Sequence, residues 1–225
     1  FAISREDQDK FAMDSHRRAS DAQRKGLFTD EICSTRGCVL DDGIRHDCSL
    51  SGLARLAPIF SRDGTTTAGN ASQVSDGASA LLVAREEVAE ALGQPALLIF
   101  RGFAVVGVPP EIMGIGPAYA IPEAVRRAGL RLEQVDYFEI NEAFASQALY
   151  CARHLGIPLD KLNPLGGAIA LGHPLGCTGN RQIVTLMHWL RRTKKRYGVV
   201  SMCVGTGMGA AAVFENPDYI APSRL

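Results

Sequence analysis

"VDYFEINEAFASQALYCARHLG", residues 135–156, decides the fold. Its first six residues, 135–140, form a short run rich in β-branched and aromatic side chains, which reads as a buried strand. The stretch that follows, 141–156, reads as a helix. A strand that passes straight into a helix is the repeating unit of an α/β layered sheet.

The same alternation runs outward in both directions. "ALLIFRGFAVVGV" (96–108) reads as a strand and "GPAYAIPEAVRRAGL" (116–130) as a helix closed by Gly129. Downstream, a helix is predicted over about 179–194, then two strands, "YGVVSMCV" and "GAAAVFE", whose "GTGMG" connection suggests an antiparallel end to the sheet. Upstream, "ASALLVA" (78–84) reads as a buried strand or helix entry, followed by a helix over 85–92 that stops at Gly93. Residues 4–26 are an amphipathic helix, with Ser4 and Asp7 as its cap and Phe11, Ala12, Ala19 and Ala22 near one face. Its charged face carries Arg17, Arg18, Arg24 and Lys25 and reads as solvated. Between 33 and 70 the text is irregular and polar, with one short helix at 49–57 and a turn at "SRDGTTTAGNAS", as in a cap laid over a core.

Composition excludes several classes of partner. The 225 residues balance 24 acidic against 24 basic side chains, so no overall field recruits nucleic acid or an anionic membrane. Six scattered cysteines without a staple pattern suit a reduced, intracellular protein with free thiols. No apolar run reaches the length of a membrane span and no leader opens the chain, so a soluble protein is expected. The chain opens at Phe1 without an initiator Met and reads as a piece of a longer one.

Three constellations could carry chemistry. "NEAF" (141–144) stands where a strand ends: Asn141 is either a plain helix N-cap or a polar group pointed into the crevice at the strand ends. "GGAIALGHPLGCTG" (166–179) sets His173 between Gly172 and Pro174, in a loop whose backbone can approach a substrate closely, and imidazole suits a general base near neutral pH. "CVGTGMG" (203–209) ends an apolar strand at Cys203 beside a glycine turn; the thiol is either a small core hydrophobe or a group suited to acyl or enolate chemistry beside backbone donors. A dinucleotide reading of those glycines fails, since a strand follows where a helix is needed. Cys33, Cys38, His46 and Cys48 invite zinc by proximity, but the spacing lacks a second short pair, and no metal is expected.

Taken together, "TTTAGNASQVSDGA" (65–78), "MGIGPA" (113–118), "NEAFASQ" (141–147), "NPLGGAIALGHPLGCTG" (163–179) and "CVGTGMGAAAVFE" (203–215) resemble the thiolases, most closely the peroxisomal 3-ketoacyl-CoA branch. The resemblance implies an α/β, layered α-β-α-β-α fold with mixed five-stranded sheets, incomplete at its N-terminus. It divides the chain into residues 1–75 as the rest of a cap over CoA, 76–95 as the last elements of an N-terminal domain, and 96–225 as the C-terminal domain. The implied activity is thiolytic cleavage of a 3-ketoacyl-CoA by CoA through an acyl-enzyme on a cysteine, with coenzyme A as substrate and no cofactor.

By the same resemblance His173 activates the nucleophile, Cys203 is the acid/base for the acetyl-CoA enolate, Asn141 holds a water of one oxyanion site and the Gly205 N–H serves the other. Arg45 is the expected nucleotide contact, Ser72 meets the pantetheine arm and Met113 lines the acyl pocket. None of Cys33, Cys38, Cys48, Cys151 or Cys177 stands in the family's nucleophile motif, so the chain alone is expected to be inactive. A homodimer and a peroxisomal location are implied, with mitochondria as the alternative. The closing Ser223, Arg224 and Leu225 resemble the address read by the peroxisomal import receptor. Two other readings compete: a truncated product that only binds CoA or dimerises, and a related condensing enzyme, against which the thiol at position 203 counts.

Overall fold

The computed structural model describes residues 1–221. Its elements are α1 (Arg5–Arg24), α2 (Leu50–Ala54), α3 (Glu86–Ala91), β1 (Ile99–Gly107), α4 (Gly116–Arg127), β2 (Tyr137–Ile140), α5 (Ala145–Leu155), α6 (Ala168–Leu171), α7 (Thr178–Thr193), β3 (Tyr197–Val204) and β4 (Met208–Glu215). A 3₁₀ segment, Pro110–Ile115, leads into α4.

The strands form one mixed sheet in the order β1-β4-β3-β2. β4 is antiparallel to both neighbours, whereas β2 and β3 run parallel, with Ile140 opposite Ser201. The side-chain period of two sorts the sheet residues onto two faces. Phe138, Ile140, Val199, Ala211 and Val213 join the core under α4 and α5, and Tyr137, Val200 and Phe214 pack with Leu186 and Leu190 of α7. Helices therefore cover both faces, the arrangement that makes β2 and β3 mostly apolar, with Glu139 and Ser201 as their buried polar exceptions.

Local signals act where the sequence places them. The Ser4 hydroxyl accepts from Asp7 N at 3.0 Å and starts α1, whose Phe11, Ala12, Ala19 and Ala22 are buried. Gly93, Gly129 and Gly156 take φ of +64°, +71° and +65°, the left-handed stop that ends a helix.

Five expectations are corrected. Residues 78–84 form neither strand nor helix: Leu82 and Val83 are 91% and 86% exposed, because no strand among the described residues pairs with them. The helix expected from Asn141 begins at Ala145, where Gln147 caps Phe144 N at 3.3 Å, so Asn141 is not its cap. The β3–β4 pair is antiparallel but not the end of the sheet, since β1 pairs with the far side of β4. The sheet has four strands among the described residues where five were expected; its fifth place, beside β2, holds a single parallel bridge between Phe138 and Leu162. Arg18 also leaves the solvated face of α1, donating to Leu162 O at 2.6 Å and Leu159 O at 3.0 Å. Ser223, Arg224 and Leu225 lie outside the described residues.

Candidate active site

Parallel strands end on the same side of a sheet, and the crevice outside those ends is where α/β proteins place reacting groups. Asn141 follows the end of β2, and its N–H donates to Ser201 O on β3 at 2.9 Å. Its carbonyl accepts from Gln147 Nε2 at 3.1 Å, so main chain on both sides fixes the residue. The side chain is fully buried, with Nδ2 3.1 Å from His173 Nε2 and Oδ1 unpartnered. A buried acceptor without a donor carries a desolvation cost that one water or substrate donor relieves.

His173 enters from the glycine loop. Its N–H donates to Ser75 Oγ at 3.0 Å, which seats the loop on the segment before it. Gly172 has φ of +88°, and a Cβ there would lie 2.3 Å from Ser75 Oγ, so glycine is required. The imidazole Nδ1 lies 2.6 Å from Thr178 Oγ1, and the Thr178 hydroxyl donates to Pro174 O at 3.0 Å. A hydroxyl has one proton; when Pro174 O takes it, the proton shared by the ring and Thr178 is carried by Nδ1. Nε2 therefore carries the lone pair and accepts from the Asn141 amide. Burial and the Arg181 charge hold the imidazole below its ordinary pKa of 6.5, leaving it neutral at pH 7.

The remaining residues fall into three groups. Ser72 N donates to Ala143 O at 2.9 Å, and Ala71 bridges Phe144, so the 71–77 segment lies along the "NEAF" loop beside His173. Cys203 and Gly205 share the strand end: Cys203 stands two residues beyond Ser201 on β3, half-buried, its thiol pushed up by burial, and Gly205 is exposed in the turn to β4. Met113 is half-buried in the 3₁₀ segment, whose Gly114 packs on Gln147, the residue that holds the Asn141 carbonyl. Arg45 stands apart. Its side chain is exposed, and its main-chain N–H donates to His16 Nδ1 at 3.1 Å, where burial and the Arg45 charge push the His16 imidazole down to about 4.

Several residues that build the site were missed from sequence. Glu142, fully buried beside Asn141, accepts from Ser15 Oγ at 2.7 Å, Asn163 Nδ2 at 2.8 Å and Ile169 N at 3.2 Å. Burial raises its pKa while these donors oppose the rise. It pins α1, the Asn163 turn and the glycine loop to one point, and the loop passes so close that a Cβ on Gly167 would sit 2.2 Å from Glu142 Cδ. The signal available was an acid in a strand-end motif. Thr178 and Ser75 carried none beyond their places in quoted motifs. Burial raises the thiols of Cys48, Cys151 and Cys177, that of Cys151 to about 12, so none of these three is an activated nucleophile.

Cys33 and Cys38 are exposed around a tight turn in which Thr35 and Cys38 pair, and His46 Nδ1 lies 2.7 Å from Ser20 Oγ. Among the described residues no group of three or more His, Cys, Asp or Glu is gathered to hold a metal, and no helix is long and apolar enough to cross a membrane.

Residues 94–216 match the family model for "Thiolase, C-terminal domain" and residues 1–87 the one for "Thiolase, N-terminal domain". The chain is 60% identical to "3-ketoacyl-CoA thiolase B, peroxisomal" of Rattus norvegicus over 96% of its own length and 54% of that protein's. It is likewise 60% identical to "3-ketoacyl-CoA thiolase, peroxisomal" of Homo sapiens, with the same shares covered. The solved dimeric peroxisomal thiolase of Saccharomyces cerevisiae superposes with a TM-score of 0.89 at 53% identity, covering 96% of this chain and 56% of that one. The chain spans about half the length of the curated relatives it matches. A mixed sheet covered by helices on both faces, the asparagine–histidine pair at its strand ends, and these matches agree: the chain belongs to the thiolase family.

Proposed function

We propose that this chain is the part of a degradative 3-ketoacyl-CoA thiolase that supplies the base, the acid and the oxyanion donors for thiolytic cleavage. The observation that carries the reading is the His173–Asn141 contact of 3.1 Å, with the Nε2 lone pair fixed by Thr178 behind it. A neutral imidazole with a defined lone pair takes the proton from a thiol and then, as imidazolium, stabilises the thioester oxygen. The unpartnered Asn141 Oδ1 suits a bound water beside that oxygen. Cys203, with its thiol kept protonated by burial, suits donation to the departing acetyl-CoA enolate, and the exposed Gly205 turn suits an N–H aimed at the enolate oxygen.

Coenzyme A is the second substrate, and the chemistry asks for no cofactor. We assign Ser72 to the pantetheine arm, Met113 to the acyl pocket and Arg45 to the nucleotide end, and keep the division into 1–75, 76–95 and 96–225. The named relatives support a homodimer in peroxisomes; Ser223, Arg224 and Leu225 are assigned as a receptor-read address on their sequence alone.

The test is a chimera in which the upstream residues of the yeast relative, expected to bring the nucleophilic thiol, precede this chain. It should cleave acetoacetyl-CoA with CoA, while the 225-residue chain alone should not. A folded chimera that binds CoA without turnover would overturn the reading.

A further inference from the structure

Asn141 reaches His173 only if its Cβ points the right way, and the two peptide planes that meet at its Cα set that direction. The plane before it is held by the 2.9 Å bond from Asn141 N to Ser201 O on β3. The plane after it is held by a side chain: Gln147, in the first turn of α5, donates from Nε2 to Asn141 O at 3.1 Å. Asn141 is fully buried, so its carbonyl has no bulk water to turn to if that donor is removed.

What the Gln147 amide meets fixes its orientation. The Phe144 N–H only donates and Asn141 O only accepts, so Oε1 takes the first at 3.3 Å and Nε2 serves the second. The stem is wedged as well. A Cβ on Gly114 would lie 3.1 Å from Gln147 Cγ and 3.2 Å from its Cβ, so the segment carrying Met113 rests against it. One turn further along α5 the Cys151 thiol donates to Gly114 O at 3.7 Å and holds that segment down. The residues on either side of Asn141 are secured by other groups. Asn163 bonds the N–H and the carbonyl of Ile140 at 3.0 and 2.8 Å, and the Glu142 carboxylate is tied to Ser15, Asn163 and Ile169. Among the described residues, the Asn141 carbonyl has Gln147 alone.

We propose that Gln147 is a positioning residue for Asn141: by holding the main-chain carbonyl it turns the side chain so that Nδ2 meets His173 Nε2 at 3.1 Å. The inference rests on the thiolase reading for the role of Asn141, whereas its test reads the asparagine amide itself and involves no turnover. The positioning is separable from the helix cap, because the cap uses Oε1 of Gln147 and the positioning uses Nε2.

The experiment is nitrogen–proton NMR of the full 225-residue chain, with the Asn141 side-chain amide assigned by its loss in Asn141→Ser. Gln147→Met fills the same space without a donor, so the Asn141 amide protons should exchange with water about 5- to 10-fold faster than in the parent at the same pH. Gln147→Glu keeps an oxygen for Phe144 N. While its carboxyl is neutral the hydroxyl donates to Asn141 O, and exchange should match the parent. Once the carboxyl ionises, as followed by carbon NMR, exchange should rise to that of Gln147→Met. Unchanged exchange in Gln147→Met overturns the proposal. So does exchange in Gln147→Glu that ignores the state of the carboxyl, which would leave packing or the helix cap as the whole effect. Should Gln147→Met fail to fold, the Gln147→Glu titration decides on the same terms.

Discussion

Thr178 Oγ1 sits 2.6 Å from His173 Nδ1 and 3.0 Å from Pro174 O, so a single hydroxyl that gives its proton to the carbonyl sets Nδ1 as the protonated nitrogen of the imidazole. The decision is local to the loop and needs no carboxylate, unlike a triad in which an acid orients the base. Thr178→Val should release the ring, leaving a mixture of tautomers in nitrogen NMR, and lower turnover of the chimera about 10- to 100-fold. Thr178→Ser should restore both. An unchanged tautomer in the valine variant would remove this account of the loop.

In the same chimera, His173→Ala and Cys203→Ser should each cut kcat for acetoacetyl-CoA by about 10²–10⁴-fold, the range for a lost acid or base. CoA binding, measured by calorimetry, should survive in both. Loss of binding with kcat intact would assign these side chains to substrate recognition.

Glu142 holds three donors from three separate stretches of chain. Glu142→Ala should leave Ser15, Asn163 and Ile169 N without an acceptor and destabilise the fold by about 3–5 kcal/mol in urea titration, as for a broken buried charged network. The glycine loop should also lose amide protection at Gly167, whose N–H bonds Ser15 Oγ at 3.0 Å, ahead of the sheet.

Glu31 gives stability a pH dependence with a definite sign. Burial raises its carboxyl from 4.5 to about 7, so the folded state prefers the protonated form. That contribution is complete below pH 4.5 and is lost as pH rises through about 7, an effect of roughly 3 kcal/mol at most. Glu31→Gln should flatten the profile between these limits and make the variant more stable than the parent at pH 8, by chemical denaturation. A variant less stable at pH 8 with an unaltered slope would count against it.

β4 crosses the start of α4 at backbone contact: a Cβ on Gly209 would lie 2.2 Å from Gly116 C and O. Gly209→Ala should cost about 2–3 kcal/mol or more through backbone displacement. Gly107→Ala meets nothing within 4 Å and should stay within about 0.5 kcal/mol by thermal melting.

The sequence-legible parts are those with short-range causes. Ser4 caps α1 from three residues away, and glycines stop α3, α4 and α5, because these bonds close within one turn. The strand ends and the glycine loop were legible as chemistry, since asparagine, histidine and cysteine stood where flexible backbone meets an apolar run. The partners that make the chemistry specific were not. Ser15 reaches Glu142 across 127 residues and Thr185 reaches Glu31 across 154, and no periodicity encodes such pairings. Residues 78–84 misled for the opposite reason: their composition fits a strand, but a strand exists only where another pairs with it. Asn141 misled likewise, because Ser201 O claims its N–H before the helix can begin.

The Gln73 amide nitrogen lies 2.7 Å from Gly43 O, 3.1 Å from Ile169 O and 3.2 Å from Ala170 O. The stretch leading to Arg45 and the loop carrying His173 are thereby riveted to one side chain. Two stretches more than a hundred residues apart in the chain thus meet at one amide, and the entropy of bringing them together is spent during folding.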